Sequence, residues 1–206
     1  MKQMKFVTAD EAVSHIASGS HIHLSSVASV PHCLIQALCR RADAGDVRDL
    51  HFHHFHTEGP APYSEPRYEG IFFDQGFFVG PNVRANVNAG YADYLPVHLR
   101  ESQALYRSGV IHLGAALVNI SRPDKDGRVS LGTSVDCSVA AIESADVVIG
   151  VVNPNVPFSH GDLVRLDQFD YLVEDDTPLV TAGFAEPTPT EVLIGKIGRA
   201  SCRERV

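Results

Sequence analysis

Residues 51–59 read HFHHFHTEG, so His51, His53, His54 and His56 are followed at once by Thr57 and Glu58. Imidazoles bind metals and move protons near neutral pH, and a carboxylate beside them adds a possible nucleophile. On an extended chain alternate side chains share a face. His51, His53 and Phe55 then point one way, and Phe52, His54 and His56 the other. Two histidines per face give the H-x-H spacing of some zinc sites, but catalytic zinc needs a third protein ligand and an open position. No H-E-x-x-H segment, cysteine cluster or Asp doublet nearby supplies one. Three readings stand: a metal-dependent hydrolase built on His51–His56, imidazoles that hydrogen-bond to neighbouring loops, and direct contact with a ligand at a strand's carboxyl end. Glu58 is a nucleophile only if something activates it, and no activating partner is visible.

The flanking elements must position these residues. Thr8 to Glu11 has the form of a capping box, followed by a helical face of Val13, Ile16 and Ala17 that ends at Gly19. HIHLSS (21–26) is a short strand opening into a loop, Pro31 starts a helix with Leu34, Ala37 and Leu38 facing inward, and 49–55 is a second strand. Residues 71–80 are too short and too aromatic for a helix, whereas 94–107 has helical spacing. Residues 110–121 are β-like, the DKDG turn (124–127) leads into RVSLG as a hairpin, and Ser134 or Asp136 caps a helix over 137–145. The apolar run 146–153 has the character of a strand buried on both faces, and 171–174 and 178–183 add two more strands. Such alternation predicts an α/β fold, a mainly parallel sheet covered by helices.

The chain has 206 residues, 44% of them hydrophobic, enough for one large α/β domain. Its formal charge of -8 argues against nucleic acid or anionic membrane as a partner. No apolar run approaches the length of a membrane helix, and the N-terminus lacks the pattern of a secretory signal. Cys33, Cys39, Cys137 and Cys202 are scattered like reduced thiols, so a cytoplasmic location is expected.

Four stretches carry a resemblance: 56–66, 77–101, 121–136 and 141–162. Their most specific patterns are Asp124-x-x-Gly127-x-x-Ser130-Leu131-Gly132 and Val152-Asn153 with Pro157 and Gly161-Asp162. In order and spacing they resemble the N-terminal domain of the acetyl-CoA hydrolase/transferase family, especially its 4-hydroxybutyrate and acetate CoA-transferases, from about Phe6 to about Gly195. The resemblance implies a CoA-transferase-like, sugar-isomerase-like α/β fold in a protein of two tandem domains. The implied reaction moves CoA between a short-chain acyl-CoA and a carboxylate such as acetate, butyrate or 4-hydroxybutyrate, with some acyl-CoA hydrolysis as a side activity. A glutamate attacks the thioester and carries CoA as a glutamyl-CoA thioester, backbone amides hold the oxyanions, and no cofactor is needed beyond coenzyme A as substrate.

By the resemblance, that glutamate belongs to the second domain, so no catalytic residue and no metal ligand is assigned among the 206 residues. Ser25, Ser26, His56, Thr57, Glu58, Arg84, Asn88, Gly90 and Tyr91 are the candidates for lining the substrate cleft. Arg84 is a cation for a carboxylate or CoA phosphate, and Gly90 permits positive φ. Each has a plainer reading as a loop residue, a turn residue or a solvated arginine. Residues 1–185 form the expected domain, the Pro-rich 186–196 a linker toward a second domain, and 197–206 a non-native tail similar to the in-frame translation of a sequencing adaptor. The expected partners are acyl-CoA, small carboxylates, the second domain and, at full length, further copies of the chain. By itself the chain is expected to be inactive; a stand-alone CoA- or carboxylate-binding module remains the alternative.

Overall fold

The computed structural model describes residues 5–159, 161–181, 183 and 185–203. Its centre is an eight-stranded, wholly parallel sheet. The strands are β1 (Lys5–Phe6), β2 (His21–Leu24), β3 (Leu50–His53), β4 (Phe72–Gly76), β5 (Ala92–Tyr94), β6 (Leu113–Ile120), β8 (Val147–Val152) and β10 (Tyr171–Glu174). They lie in the order β1-β10-β8-β6-β2-β3-β4-β5. From β2 the chain steps outward through β3, β4 and β5, then returns and steps the other way through β6, β8 and β10. The order therefore reverses between β2 and β6, and a crevice outside the carboxyl ends of such strands is where open α/β sheets bind ligands.

Alternation along the strands sorts two cores. Ile22, Leu24, Phe52, Leu117 and Ile149 face α1 (Ala9–Ser14) and α2 (His32–Asp43), which contribute Val13, Leu34 and Leu38. Ala116, Val118, Ile120 and Val148 face α4 (Leu99–Arg107) and α5 (Ser138–Ser144), which contribute Tyr106, Ala140 and Ala141. At β8, a Cβ on Gly150 would stand 2.7 Å from the ring of Phe169, so only glycine lets that ring seat on the strand.

Four expectations need correction. The helix read over 94–107 begins at Leu99; Tyr94 closes β5, because Pro96 disfavours helical backbone just before it and His98 takes the N-cap. The turn at 124–127 closes, with Asp124 N–H donating to Arg128 O at 2.8 Å and Gly127 N–H donating to Asp124 O at 3.1 Å. Yet β7 (Arg128–Ser130) forms its ladder with β9 (Leu163–Arg165) in a separate antiparallel pair. The strand read over 178–183 does not form at its described residues; position 182 lies outside them. The outer edge of β10 is already taken by β1, a strand the sequence pattern did not announce. Finally, the stretch 186–196 is not wholly an open linker: α6 (Pro189–Arg203) starts inside it, capped reciprocally by Thr188 and Glu191.

Candidate functional site at the carboxyl edge of the sheet

The order reversal places the loops after β2, β3 and β6 side by side. Ser25 and Ser26 leave β2 fully buried. Ser25 Oγ accepts the Asn119 N–H at 3.2 Å, and Ser26 Oγ accepts the Phe55 N–H at 3.0 Å. Val27, at φ 56°, donates its N–H to His56 O and accepts the Glu58 N–H, which docks the β3 exit against the β2 exit. Both serine hydroxyls therefore build the edge rather than stand open in it.

The histidine run divides as its alternation requires. His51 and His53 point toward the α4/α5 face, where His53 Nε2 meets His21 Nδ1 at 2.8 Å and the His21 ring stacks on His51. His54 points to the other side, buried, with Nε2 2.9 Å from Asp74 Oδ1. His56 sits at the mouth, its Nε2 3.5 Å from Glu58 Oε1. The run does not converge on a metal: among the described residues the group of three ligand-type side chains that does converge is His23, Asp136 and Cys137. The metal-dependent hydrolase on His51–His56 thus loses its ligand set. Burial, reinforced by His21 and His23, pushes His53 down to about 3, and burial also lowers His21; these rings are neutral at pH 7.

Thr57 is buried, its Oγ1 2.6 Å from Tyr63 OH and accepting from Asn82 Nδ2 at 3.1 Å, while the same amide reaches Gly59 O. This clamp holds the backbone that carries Glu58, whose side chain remains 43% exposed beside His56. Arg84 is exposed at the start of α3 (Arg84–Ala89), four residues after Gly80, which packs against His56 and Thr57. Asn88, Gly90 and Tyr91 are also exposed, but α3 carries them toward the amino end of the sheet. Gly90 caps α3 at φ 83° as its sequence context suggested, and with Tyr91 it lines a hollow beside Glu69 and Gly70. The candidates therefore separate into a carboxyl-edge group and an amino-end group.

Two residues at the reversal were missed. Asn119, at the end of β6, has a buried Oδ1 without a partner among the described residues, and so has His32 Nε2 at the start of α2. Both line a small recess under residues 177–180. The sequence signal for Asn119 was a polar residue interrupting an apolar strand. The motifs that carry the resemblance are builders of this edge. Ser130 Oγ accepts N–H bonds from Gly132 and Ser159, tying the two patterns together, and Asn153 Nδ2 donates to Thr177 O at 2.8 Å. Gly132, at φ 68°, has Val156 against its α-carbon, where a side chain would collide.

Comparison with known proteins agrees with this architecture. The chain is 36% identical over 153 residues to a succinyl-CoA:acetate/propanoyl-CoA:succinate CoA transferase of Fasciola hepatica, covering 74% of this chain and 32% of that protein. It is 34% identical over 177 residues to a 4-hydroxybutyrate coenzyme A transferase of Clostridium kluyveri, covering 85% and 41%. The crystal structure of RipA from Yersinia pestis superposes with a TM-score of 0.82 at 28% identity, covering 90% of this chain and 45% of that one. The chain thus spans less than half the length of these relatives. With the acetyl-CoA hydrolase/transferase N-terminal domain model matched over residues 2–182, the chain belongs to the acetyl-CoA hydrolase/transferase family.

Proposed function

We propose that these residues form the N-terminal half of a CoA-transferase that moves CoA between a short-chain acyl-CoA and a carboxylate such as acetate, butyrate or 4-hydroxybutyrate. The observation that carries this reading is the family match over 2–182 together with a fold whose order reversal brings Ser25, Ser26, Thr57, Glu58 and Asn119 to one sheet edge. In this reading the edge is one wall of the acyl and CoA cleft, and the clamp at Thr57 fixes the direction of the Glu58 carboxylate. In this reading, which follows the family resemblance, the reactive carboxylate lies outside these residues, and Glu58, partly exposed with the His56 ring at 3.5 Å, lines the cleft. Coenzyme A enters as substrate, and the proposed place of action is the cytoplasm.

A chimera tests the reading. Residues 6–195 replace the matched segment of the Clostridium kluyveri enzyme, and transfer of CoA from acetyl-CoA to 4-hydroxybutyrate is followed by chromatography. Turnover is expected; a folded but inert chimera would sink the proposal. The 206-residue chain alone, given acetyl-CoA and butyrate, is expected to give neither a new CoA ester nor a hydroxylamine-trappable adduct.

A further inference from the structure

On the α4/α5 face of the sheet, His23 of β2 meets Asp136 and Cys137, neighbours in sequence at the start of α5. His23, Asp136 and Cys137 each offer one ligand atom, and these atoms lie within 4.8 Å of one another. We propose that they bind a single zinc-class divalent cation, in a structural role independent of the transfer reaction.

Hydrogen-bond accounting fixes the state of His23. Ser138 has one hydroxyl proton, and its Oγ donates it to Asp136 Oδ1 at 3.1 Å. The contact of 3.0 Å between Ser138 Oγ and His23 Nε2 therefore runs the other way, with Nε2–H donating. His23 Nδ1 is then a bare lone pair. It faces the Tyr106 hydroxyl at 3.3 Å and the Cys137 sulfur at 3.9 Å, so two X–H groups share one acceptor. A ring whose far nitrogen donates to an oxygen while the near one is free is the arrangement metal-binding histidines adopt.

The donor set suits the ion as well as the geometry does. Imidazole nitrogen, thiolate and carboxylate are the ligands zinc takes, and three protein ligands leave its fourth position to water. Bonds of about 2.0 Å to nitrogen and about 2.3 Å to sulfur at a tetrahedral angle put those atoms about 3.5 Å apart, so closure from 3.9 Å asks only a small movement. One dication with one thiolate and one carboxylate sums to zero charge, which a buried site favours. Asp136 Oδ1 accepts the Cys137 and Ser138 N–H groups and Oδ2 the Ser134 hydroxyl, so the carboxylate is held in place at the start of α5 and the ion would share one of these oxygens. The residue is only partly buried, which gives the ion a way in from the carboxyl edge. On binding, the Cys137 S–H bond breaks, sulfur keeps the electron pair for the metal, and the proton leaves to solvent.

The test uses the full chain purified without chelator from zinc-supplemented and cobalt-supplemented cultures. One zinc per chain by elemental analysis is expected. The cobalt protein should show a thiolate-to-cobalt charge-transfer band in the near ultraviolet. The band should survive in the triple variant Cys33→Ser, Cys39→Ser, Cys202→Ser, where Cys137 is the remaining thiol, and vanish in Cys137→Ser. Metal far below one equivalent, or a band lost in the triple variant, overturns the assignment; if Cys137→Ser fails to fold, the triple variant decides.

Discussion

Among single residues, Thr57 and Glu58 make the clearest contrast. Thr57→Ala removes the partner of the buried Tyr63 hydroxyl and one of the two acceptors of the part-buried Asn82 amide, which keeps Gly59 O. Leaving such a group unsatisfied costs about 1–3 kcal/mol, so a lower urea midpoint is expected. Thr57→Ser keeps the oxygen and should recover most of that loss. Glu58→Ala breaks only a partly exposed contact with His56. It should leave the urea midpoint within about 0.5 kcal/mol of the parent, while in the chimera it should lower transfer if Glu58 lines the cleft. A midpoint shift as large as that of Thr57→Ala would mean the side chain is structural.

At the scale of elements, strand β8 and helix α6 respond oppositely to the same change. Gly150→Ala drives a methyl into the Phe169 ring inside a packed layer, and overpacking of this kind costs about 1–3 kcal/mol. Gly195 lies in α6 with nothing within 4 Å of its added Cβ, and every described residue from 185 to 198 is exposed. Gly195→Ala should favour the helix by about 1 kcal/mol, raising helical content by circular dichroism without moving the sheet's unfolding midpoint. A midpoint shift from Gly195→Ala would show that α6 is coupled to the core.

The whole molecule carries a pH dependence that follows from burying histidine. His53 is held neutral, its pKa lowered from 6.5 to about 3 by burial first and then by His21 and His23. Between those values the unfolded chain binds a proton that the folded one refuses, so stability falls as pH drops through that window, by about 1.4 kcal/mol per pH unit for this ring. Above pH 6.5 the contribution is flat. Urea midpoints measured from about pH 7.5 down to about pH 4 should therefore decline, and His53→Gln should flatten the slope; an unchanged slope would place the acid sensitivity elsewhere.

Much of this protein could be read from its sequence, because periodicity and turn chemistry act over a few residues. The parallel strands at 21–24, 50–53 and 147–152, the capping box at Thr8 and the alternation that splits His53 from His54 are local properties of the chain. So are the motifs around Ser130 and Asn153, whose spacing reflects the turns they build. What tertiary structure alone decided is who meets whom. The reversal between β2 and β6 joins Ser25 to Asn119, sends Tyr91 away from Glu58, and brings His23 against Cys137, 114 positions apart. Strand order costs nothing to any local pattern, so no local pattern records it; it is set by which faces bury against which helices once the whole chain has collapsed.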